Sequence, residues 1–436
     1  MYSMNLDLET IRKHNLIFVS AQPDQIYFHW QVELYMYQFA THGIQDQCYA
    51  IFGYRDQPSP YAQELAKKYK GIRFYKDTRN YGAPNYYIPS IRPHILKQFF
   101  AENPTLGKNV FYHDSDIFLV KLPSFSLLLG DDNAYLSDTV SYIGYKYIAE
   151  CAGRYRSTYP DLPVDDVFTK MCEIVQIDPD LVKRNDANSG GAQYLLKNID
   201  GAFWEDVERT TNALYSMLCD YEHKYPIGHH IQKWTADMWG VLWNYWKRGG
   251  ETRVHNALEF SWGTSTVTEY HMKPIFHLAG VTDADRSDKF YKGAYIQKHI
   301  CHEYAKNPKM FDHVSPNNAT YEYVKVIKEY VDGKNNTPFL VITDVSSNTT
   351  RFMAKTKECW SSIYTLDVSS NILDKPVWRS FDKKFLMFYG GNGWVVTAAS
   401  YESELKEGSG GFAFNSSDVP YANTWNVSCS IEIMNP

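Results

Sequence analysis

The run Asn109-Val110-Phe111-Tyr112-His113-Asp114-Ser115-Asp116-Ile117-Phe118-Leu119-Val120 constrains this chain more than any other stretch. Apolar residues on both sides read as short strands, and no Lys or Arg stands between the two carboxylates to neutralise them. A solvated surface turn has no need of such flanks, whereas a metal cradle at a strand end does. In extended backbone, residues two apart share a face at a spacing of roughly 6.5–7 Å, with Ser115 turned the other way. That is too wide for both carboxylates to grip one ion, so either the backbone bends here or one Asp acts through water or a substrate group. Oxygen ligands of this kind suit Mn2+ or Mg2+, ions that keep positions open for substrate phosphates, and the natural ligand of such a site is a diphosphate. The competing reading is a pair of solvated aspartates in a turn, because Asp-x-Asp occurs by chance in many chains.

What precedes this run gives it a setting. Buried-strand patterns at 16–20, 48–53 and 72–75 alternate with helical spacing at 27–42, 61–69 and 91–100, and the last helix leads into the Asp-Ser-Asp strand. Strands alternating with helices imply a mostly parallel, doubly wound α/β sheet. Ligands of such sheets bind beyond the carboxyl ends of the strands, where Asp114, Asp116 and Gln22 all lie.

Composition sets limits. At 436 residues the chain exceeds what one core serves, so two domains are expected, at 1–330 and 338–436. A formal charge of −6 gives no basic footprint and disfavours nucleic acid as a partner. Aromatic content of 16%, with 35 Tyr and 11 Trp, is high and fits either sugar-stacking surfaces or a large core. Seven scattered Cys without a C-x-x-C pair read as reduced thiols, with neither a zinc site nor a disulfide frame. No stretch has the length of a membrane span, and the first residues carry acids where a signal peptide carries positive charge, so a cytoplasmic location is expected. The N-x-S/T sequons at Asn318, Asn348, Asn415 and Asn426 are accordingly read as chance matches.

Three later places draw attention. Asn188-Ser189-Gly190-Gly191 is a glycine-kinked approach to an apolar segment; it either brings backbone close to a ligand or makes a turn. Asp237 is a lone acid in Trp234-Thr235-Ala236-Asp237-Met238-Trp239, hence either a helix N-terminal residue or a buried functional group. His277 ends an extended apolar run and precedes a turn at Gly280, while His229, His230 and His271 read as surface or core histidines.

Taken in order, Gln22-Pro23-Asp24, Tyr87 with Arg92-Pro93, Tyr-His-Asp-Ser-Asp, Asn-Ser-Gly-Gly, Ala-Asp-Met-Trp and His-Leu-Ala-Gly resemble a GT-A-fold glycosyltransferase that uses a nucleotide sugar. The set is most similar to retaining enzymes of the glycogenin type and to transferases that place arabinose or galactose on hydroxyproline or serine. It covers approximately residues 14–300, and its specificity lies in the order of the motifs. The resemblance implies that Asp114, Asp116 and His277 coordinate Mn2+ (or Mg2+). It implies that Gln22 and Arg92 lie by the nucleotide or its sugar, and that Ser115 and Gly280 belong to the donor site. Asn188, Gly190 and Gly191 meet the acceptor or donor sugar, and Asp237 faces the transferred sugar's hydroxyls. The family follows its late His and Gly with a Lys to the diphosphate. Here Val281-Thr282-Asp283 follows Gly280, and the residue assigned that role is Lys292, before Gly293. The donor implied is a nucleotide diphosphate sugar, most naturally a UDP-sugar, and the acceptor a hydroxyl.

From 339 onward, short alternating segments at 339–343, 361–366, 385–389 and 393–398 separated by Gly, Asn and Ser predict a small C-terminal β-domain carrying Trp360, Trp378, Trp394 and Trp425. Two other function classes compete. A metal-dependent nucleotidyltransferase shares the sheet and carboxylates but needs a Gly-rich, basic loop after the first strand, and the segment after Ser20 has neither Gly nor Lys. A non-catalytic carbohydrate-binding protein explains the aromatics but leaves the paired aspartates and late His without purpose.

Overall fold

The computed structural model describes residues 2–336 and, beyond them, seven strand segments between 341 and 415. The chain forms two compact units, Met1–Val326 and Ile327–Pro436.

The first unit is α/β, the class the sequence leads one to expect, with a mostly parallel seven-stranded sheet flanked by helices. Its first strand, β1 (Ile17–Pro23), is buried at every position, which requires cover on both faces and explains its near-continuous apolar run. β2 (Cys48–Tyr54) and β3 (Ile72–Lys76) extend the sheet on one side in parallel. β4 (Asn109–His113) pairs in parallel on the other side of β1. The strand order therefore reverses between β1 and β4, and the carboxyl ends of these two strands frame the crevice where open α/β sheets bind ligands. Beyond β4 the sheet changes character. β5 (Ile117–Leu119) leaves it, while β6 (Ala134–Leu136), β7 (Gln193–Lys197) and β8 (Thr252–Val254) complete it in the order β3-β2-β1-β4-β7-β6-β8. β7 runs antiparallel to both β4 and β6. A second, three-stranded sheet of order β5-β10-β9 is made with β9 (Phe260–Trp262) and β10 (Ile275–His277).

Helices start where side chains can satisfy their free N–H groups. Ser59 accepts from Ala62 N–H at 3.2 Å with Pro60 at the first helical position of Pro60–Lys68. Asp200 accepts from Phe203 N–H at 2.7 Å to open the 24-residue helix Gly201–Lys224. That helix packs against Ile91–Glu102 and Ala236–Lys247. The aromatic surplus goes mainly into this core. Trp30, Trp204, Trp239 and Trp243 are fully buried, each removing some 150–250 Å² from water, roughly 4–6 kcal/mol of transfer free energy. Trp234 is 59% exposed and Trp262 half-buried.

Free thiols are found at Cys48, Cys151, Cys172, Cys219 and Cys301 among the described residues. Asn318 commits its side-chain amide to Asp288, at 2.9 Å to the carbonyl and 3.0 Å to the carboxylate. A glycan there would have to break both bonds. No described helix is long and apolar enough to cross a membrane.

The second unit carries one seven-stranded antiparallel sheet whose strands pair in chain order: β11 (Val341–Ser346), β12 (Thr349–Ala354), β13 (Ser362–Ile372), β14 (Lys375–Ser380), β15 (Phe385–Tyr389), β16 (Trp394–Ala398) and β17 (Ala413–Asn415). Four of these seven overlap the segments expected from sequence. Trp360 and Trp425, and the side chains of Trp378 and Trp394, lie outside the described residues.

Candidate active site

The bend that Asp-Ser-Asp requires is supplied by a change of sheet. β4 ends at His113 in the large sheet, residues 114–116 turn, and Ile117 begins β5 in the small one. His277 then arrives by strand pairing. It is the last residue of β10, antiparallel to β5 with His277 opposite Ile117, and Leu278 N–H donates to Asp116 O at 3.0 Å. Residues more than 160 positions apart are brought together by three rungs of ladder. His277 Nε2 lies 3.5 Å from Asp114 Oδ2 and 3.4 Å from Asp116 Oδ1. One ligand atom of each of the three residues lies within 4.8 Å of the others. Asp116 and His277 are buried, while the Asp114 side chain keeps 24% exposure and opens the cluster to solvent. Trp262, paired in register with His277 on β9, stacks on the imidazole at 5.9 Å and 16° and fixes its plane.

Cations converge on the same carboxylates. Arg92, in the first turn of Ile91–Glu102, reaches Asp114 Oδ1 at 2.9 Å and Asp237 Oδ2 at 3.1 Å through one nitrogen. Burial alone would lower the Arg92 pKa, but Asp114 and Asp237 together push it well above its usual value. Lys292 Nζ contacts Asp116 Oδ2. Burial favours the neutral form of Asp116, yet Lys292 and then His277 outweigh it and hold the carboxyl far below the usual carboxylate range. Asp237 sits in the first turn of Ala236–Lys247, accepting from Tyr87 Oη at 3.0 Å and from Met238 N–H at 3.1 Å. Asp237 thus both opens a helix and is largely buried, with its side chain 13% exposed. Burial raises its pKa, Arg92 opposes, and Asp114 adds to the rise. Three carboxylates face two permanent cations, Arg92 and Lys292, and Asp114 and Asp116 share the His277 imidazole.

The other residues singled out from sequence have definite positions. Ser115, in the turn between β4 and β5, donates to Gln31 Oε1 at 2.8 Å. Gln22, near the end of β1, gives its amide nitrogen to Ile51 O at 3.1 Å, while its buried Oε1 has no partner. Gly190 lies where a Cβ would stand 2.5 Å from Ser137 O, so close packing on the end of β6 is sufficient reason for glycine there. A Cβ on Gly191 would meet Met238 Cε at 2.6 Å, beside Asp237. Asn188 accepts from Thr252 Oγ1 at 3.0 Å through its carbonyl and helps line a cavity of about 830 Å³ with Trp246, Gly250 and Arg253. Gly280 adopts φ +87°, the left-handed turn that follows His277.

Several neighbours were not assigned from sequence. Tyr87 was visible only as part of a motif, yet its hydroxyl stands between Trp234 O at 2.6 Å and Asp237 Oδ1 at 3.0 Å, one hydrogen shared by two acceptors. Gln193, the first residue of β7, lies opposite His113 and is fully buried, with its side chain beside His277. A buried amide opening an otherwise apolar strand was the available signal. A second group with ligand atoms at comparable spacing, Glu33, His299 and Cys301, occurs elsewhere in this unit. There Glu33 already accepts from Tyr61 Oη at 2.5 Å and has Lys68 at 4.0 Å.

No protein-family model matches this chain, and no curated protein matches it. Among solved structures it is similar to the galactosyltransferase LgtC in complex with donor and acceptor sugar analogs, at 14% identity and TM-score 0.30 over 60% of this chain and 87% of that one. It is similar also to the glycosyltransferase GlyE in Streptococcus pneumoniae TIGR4, at 10% identity and TM-score 0.30 over 74% of this chain and 68% of that one.

Proposed function

We propose that this chain is a metal-dependent glycosyltransferase that moves a sugar from a nucleotide diphosphate donor, a UDP-sugar, to a hydroxyl acceptor with retention at the anomeric carbon. The observation that carries the reading is the meeting of Asp114, Asp116 and His277 at a sheet switch point, with Lys292 against Asp116. The donor set fits a divalent ion: two carboxylates and one imidazole within 4.8 Å of one another, with more carboxylates than permanent cations around them. Asp114, Asp116 and His277 would hold Mn2+ or Mg2+, whose contribution when bound is Lewis-acid stabilisation of the departing diphosphate.

The chain's own residues supply the rest. As the bond between the anomeric carbon and the phosphate oxygen breaks, negative charge grows on that oxygen, and the Lys292 ammonium stands ready to oppose it. The acceptor oxygen forms the new bond to the same carbon and its proton passes to the leaving phosphate oxygen, so no protein base is required. Arg92 ties Asp114 to Asp237, and that bridge positions Asp237 toward the hydroxyls of the transferred sugar. Gln22 and Arg92 lie by the nucleotide or its sugar, Ser115 and Gly280 support the donor-binding turn segments, and Asn188, Gly190 and Gly191 meet donor or acceptor sugar. The test is nucleoside diphosphate release from a panel of nucleotide sugars, with Mn2+ and with chelator. Release that requires the ion and vanishes in His277→Ala supports the reading. Release indifferent to both would refute it.

A further inference from the structure

We infer that Gln193 is a positioning residue for His277, accepting a hydrogen bond from Nδ1–H through its side-chain oxygen and thereby leaving the Nε2 lone pair for a divalent cation. The inference rests on the metal reading given above and assigns a role to a residue that touches none of the would-be ligand oxygens.

Ser137 Oγ lies 2.7 Å from Leu258 O and 2.7 Å from one end of the Gln193 amide, and the other end of that amide lies 3.4 Å from His277 Nδ1. Ser137 and Gln193 are both fully buried, so water cannot correct a mismatch. Leu258 O can only accept, and a serine hydroxyl has a single hydrogen. If the amide oxygen faces Ser137, that hydrogen has two acceptors to serve and one goes without. The amide nitrogen then faces Nδ1, which must be the accepting nitrogen. In the neutral ring this puts the hydrogen on Nε2, pointing at Asp114 and Asp116 and closing the position a metal would take.

Turning the amide over removes every conflict. Oxygen and nitrogen ends of a glutamine have the same shape, and their assignment rests on the hydrogen-bond network. With the nitrogen toward Ser137, Gln193 donates to Ser137 Oγ, Ser137 donates to Leu258 O, and Gln193 Oε1 accepts from Nδ1–H. The direction of the whole chain is then fixed by a carbonyl that cannot be anything but an acceptor. Metal-bound histidines commonly give their second N–H to such an acceptor, which sets the tautomer and the ring orientation. Here stacking by Trp262 fixes the ring plane and Gln193 fixes which nitrogen faces the carboxylates.

The experiment uses the full chain. Nitrogen-15 NMR of histidine-labelled, metal-free protein identifies which nitrogens of His277 carry hydrogen, and electron paramagnetic resonance of free Mn2+ measures its binding to wild type, Gln193→Leu and Gln193→Glu. We expect Nδ1 to carry hydrogen in wild type. We expect the Mn2+ Kd to rise about 10- to 100-fold in Gln193→Leu and to stay within about threefold in Gln193→Glu, whose carboxyl, kept protonated by burial, gives its O–H to Ser137 Oγ and its other oxygen to Nδ1–H. A wild-type Nδ1 without hydrogen overturns the inference, as does Mn2+ binding in Gln193→Leu equal to wild type, or a Glu variant weakened as much as the Leu variant. A wild-type chain that binds no Mn2+ overturns the metal reading instead, and the NMR signal then decides the hydrogen-bond direction alone. That measurement needs no variant, so it stands if Gln193→Leu fails to fold.

Discussion

The first unit sets arginine against buried aspartate in two places, and the two are built to opposite ends. At Asp77 the carboxylate is saturated. Arg79 grips it with two nitrogens at 2.9 and 2.8 Å, the Arg79 backbone N–H adds a third bond at 3.1 Å, and Tyr81 donates as well. The remaining Arg79 nitrogen goes to Tyr87 O, Ile88 O and Ser90 Oγ at 2.9–3.3 Å, which ties down the segment entering the Arg92 helix. At Asp114 one Arg92 nitrogen is divided between two carboxylates, and a third carboxylate, Asp116, shares His277 with Asp114. The difference teaches how to separate structure from function among buried charges. A carboxylate whose donors are all supplied holds the fold, whereas a group of carboxylates in excess of its cations is kept for a ligand.

The sharpest way to break this comparison is to remove one carboxylate from each place. Asp116→Ala should lower nucleoside diphosphate release by about a thousandfold or more, because a ligand to the charge-stabilising ion is lost while Lys292 remains. Circular dichroism should show the fold retained. Activity within about tenfold of wild type would mean that the excess of carboxylates serves some other purpose.

Asp77→Ala should do the reverse. It leaves Arg79 buried, 6% exposed, with its charge unmatched, and should cost about 3 kcal/mol of stability in denaturant unfolding. Mn2+ affinity of the folded protein should change by less than about twofold, since none of Asp114, Asp116 and His277 contacts this cluster. A large fall in Mn2+ affinity would show that the two places are one network.

How much of this was legible beforehand depends on the range of each interaction. The break in an apolar run exposed Asp114 and Asp116 because it is local, and the alternation of periods up to residue 113 exposed the parallel half of the large sheet. β5 and β10 were legible as short apolar runs, but β9 and the sheet the three form were not: each strand has three residues, and their pairing spans most of the unit. His277 therefore stood out only by context and resemblance, and the ladder that brings it to Asp116 had no local trace. Gln193 and Tyr87 were hidden for a related reason, because a polar residue inside an apolar segment declares that it is satisfied without saying by what. The antiparallel turn of β7 was equally silent, since strand direction is a property of the connection and not of the strand. The aromatic count could not divide core from surface, and burial of Trp30, Trp204, Trp239 and Trp243 resolves most of it toward core.

Acid sharpens the comparison further. Burial raises the Asp77 pKa, but hydrogen bonds from Arg79 and Tyr81 outweigh it and bring the carboxyl from 3.8 down to about 2. A carboxylate depressed in the folded state stabilises the fold above its unfolded pKa, and that stabilisation is lost as pH falls through the folded value. Wild type should therefore lose about 2 kcal/mol relative to Asp77→Asn between about pH 4 and pH 2, measured as the difference of their unfolding free energies. A constant difference across that range would show that Asp77 is not held ionised by its partners.

The smallest effect comes from a third arginine- or lysine-carboxylate arrangement, one that is neither saturated in the core nor in carboxylate excess. Lys67 and Glu64 face each other one turn apart on the Pro60–Lys68 helix at 2.5 Å, with side chains 71% and 68% exposed. Water already solvates both groups, and ordering two long side chains offsets most of the attraction. Glu64→Gln should shift stability by less than about 0.5 kcal/mol and leave Mn2+ binding and diphosphate release unchanged. If it instead cost as much as Asp77→Ala, proximity of opposite charges alone would account for both, and burial and saturation would lose the explanatory weight given to them. If it matched Asp116→Ala in activity, the excess of carboxylates over cations at Asp114 and Asp116 could no longer be what marks that place for a ligand.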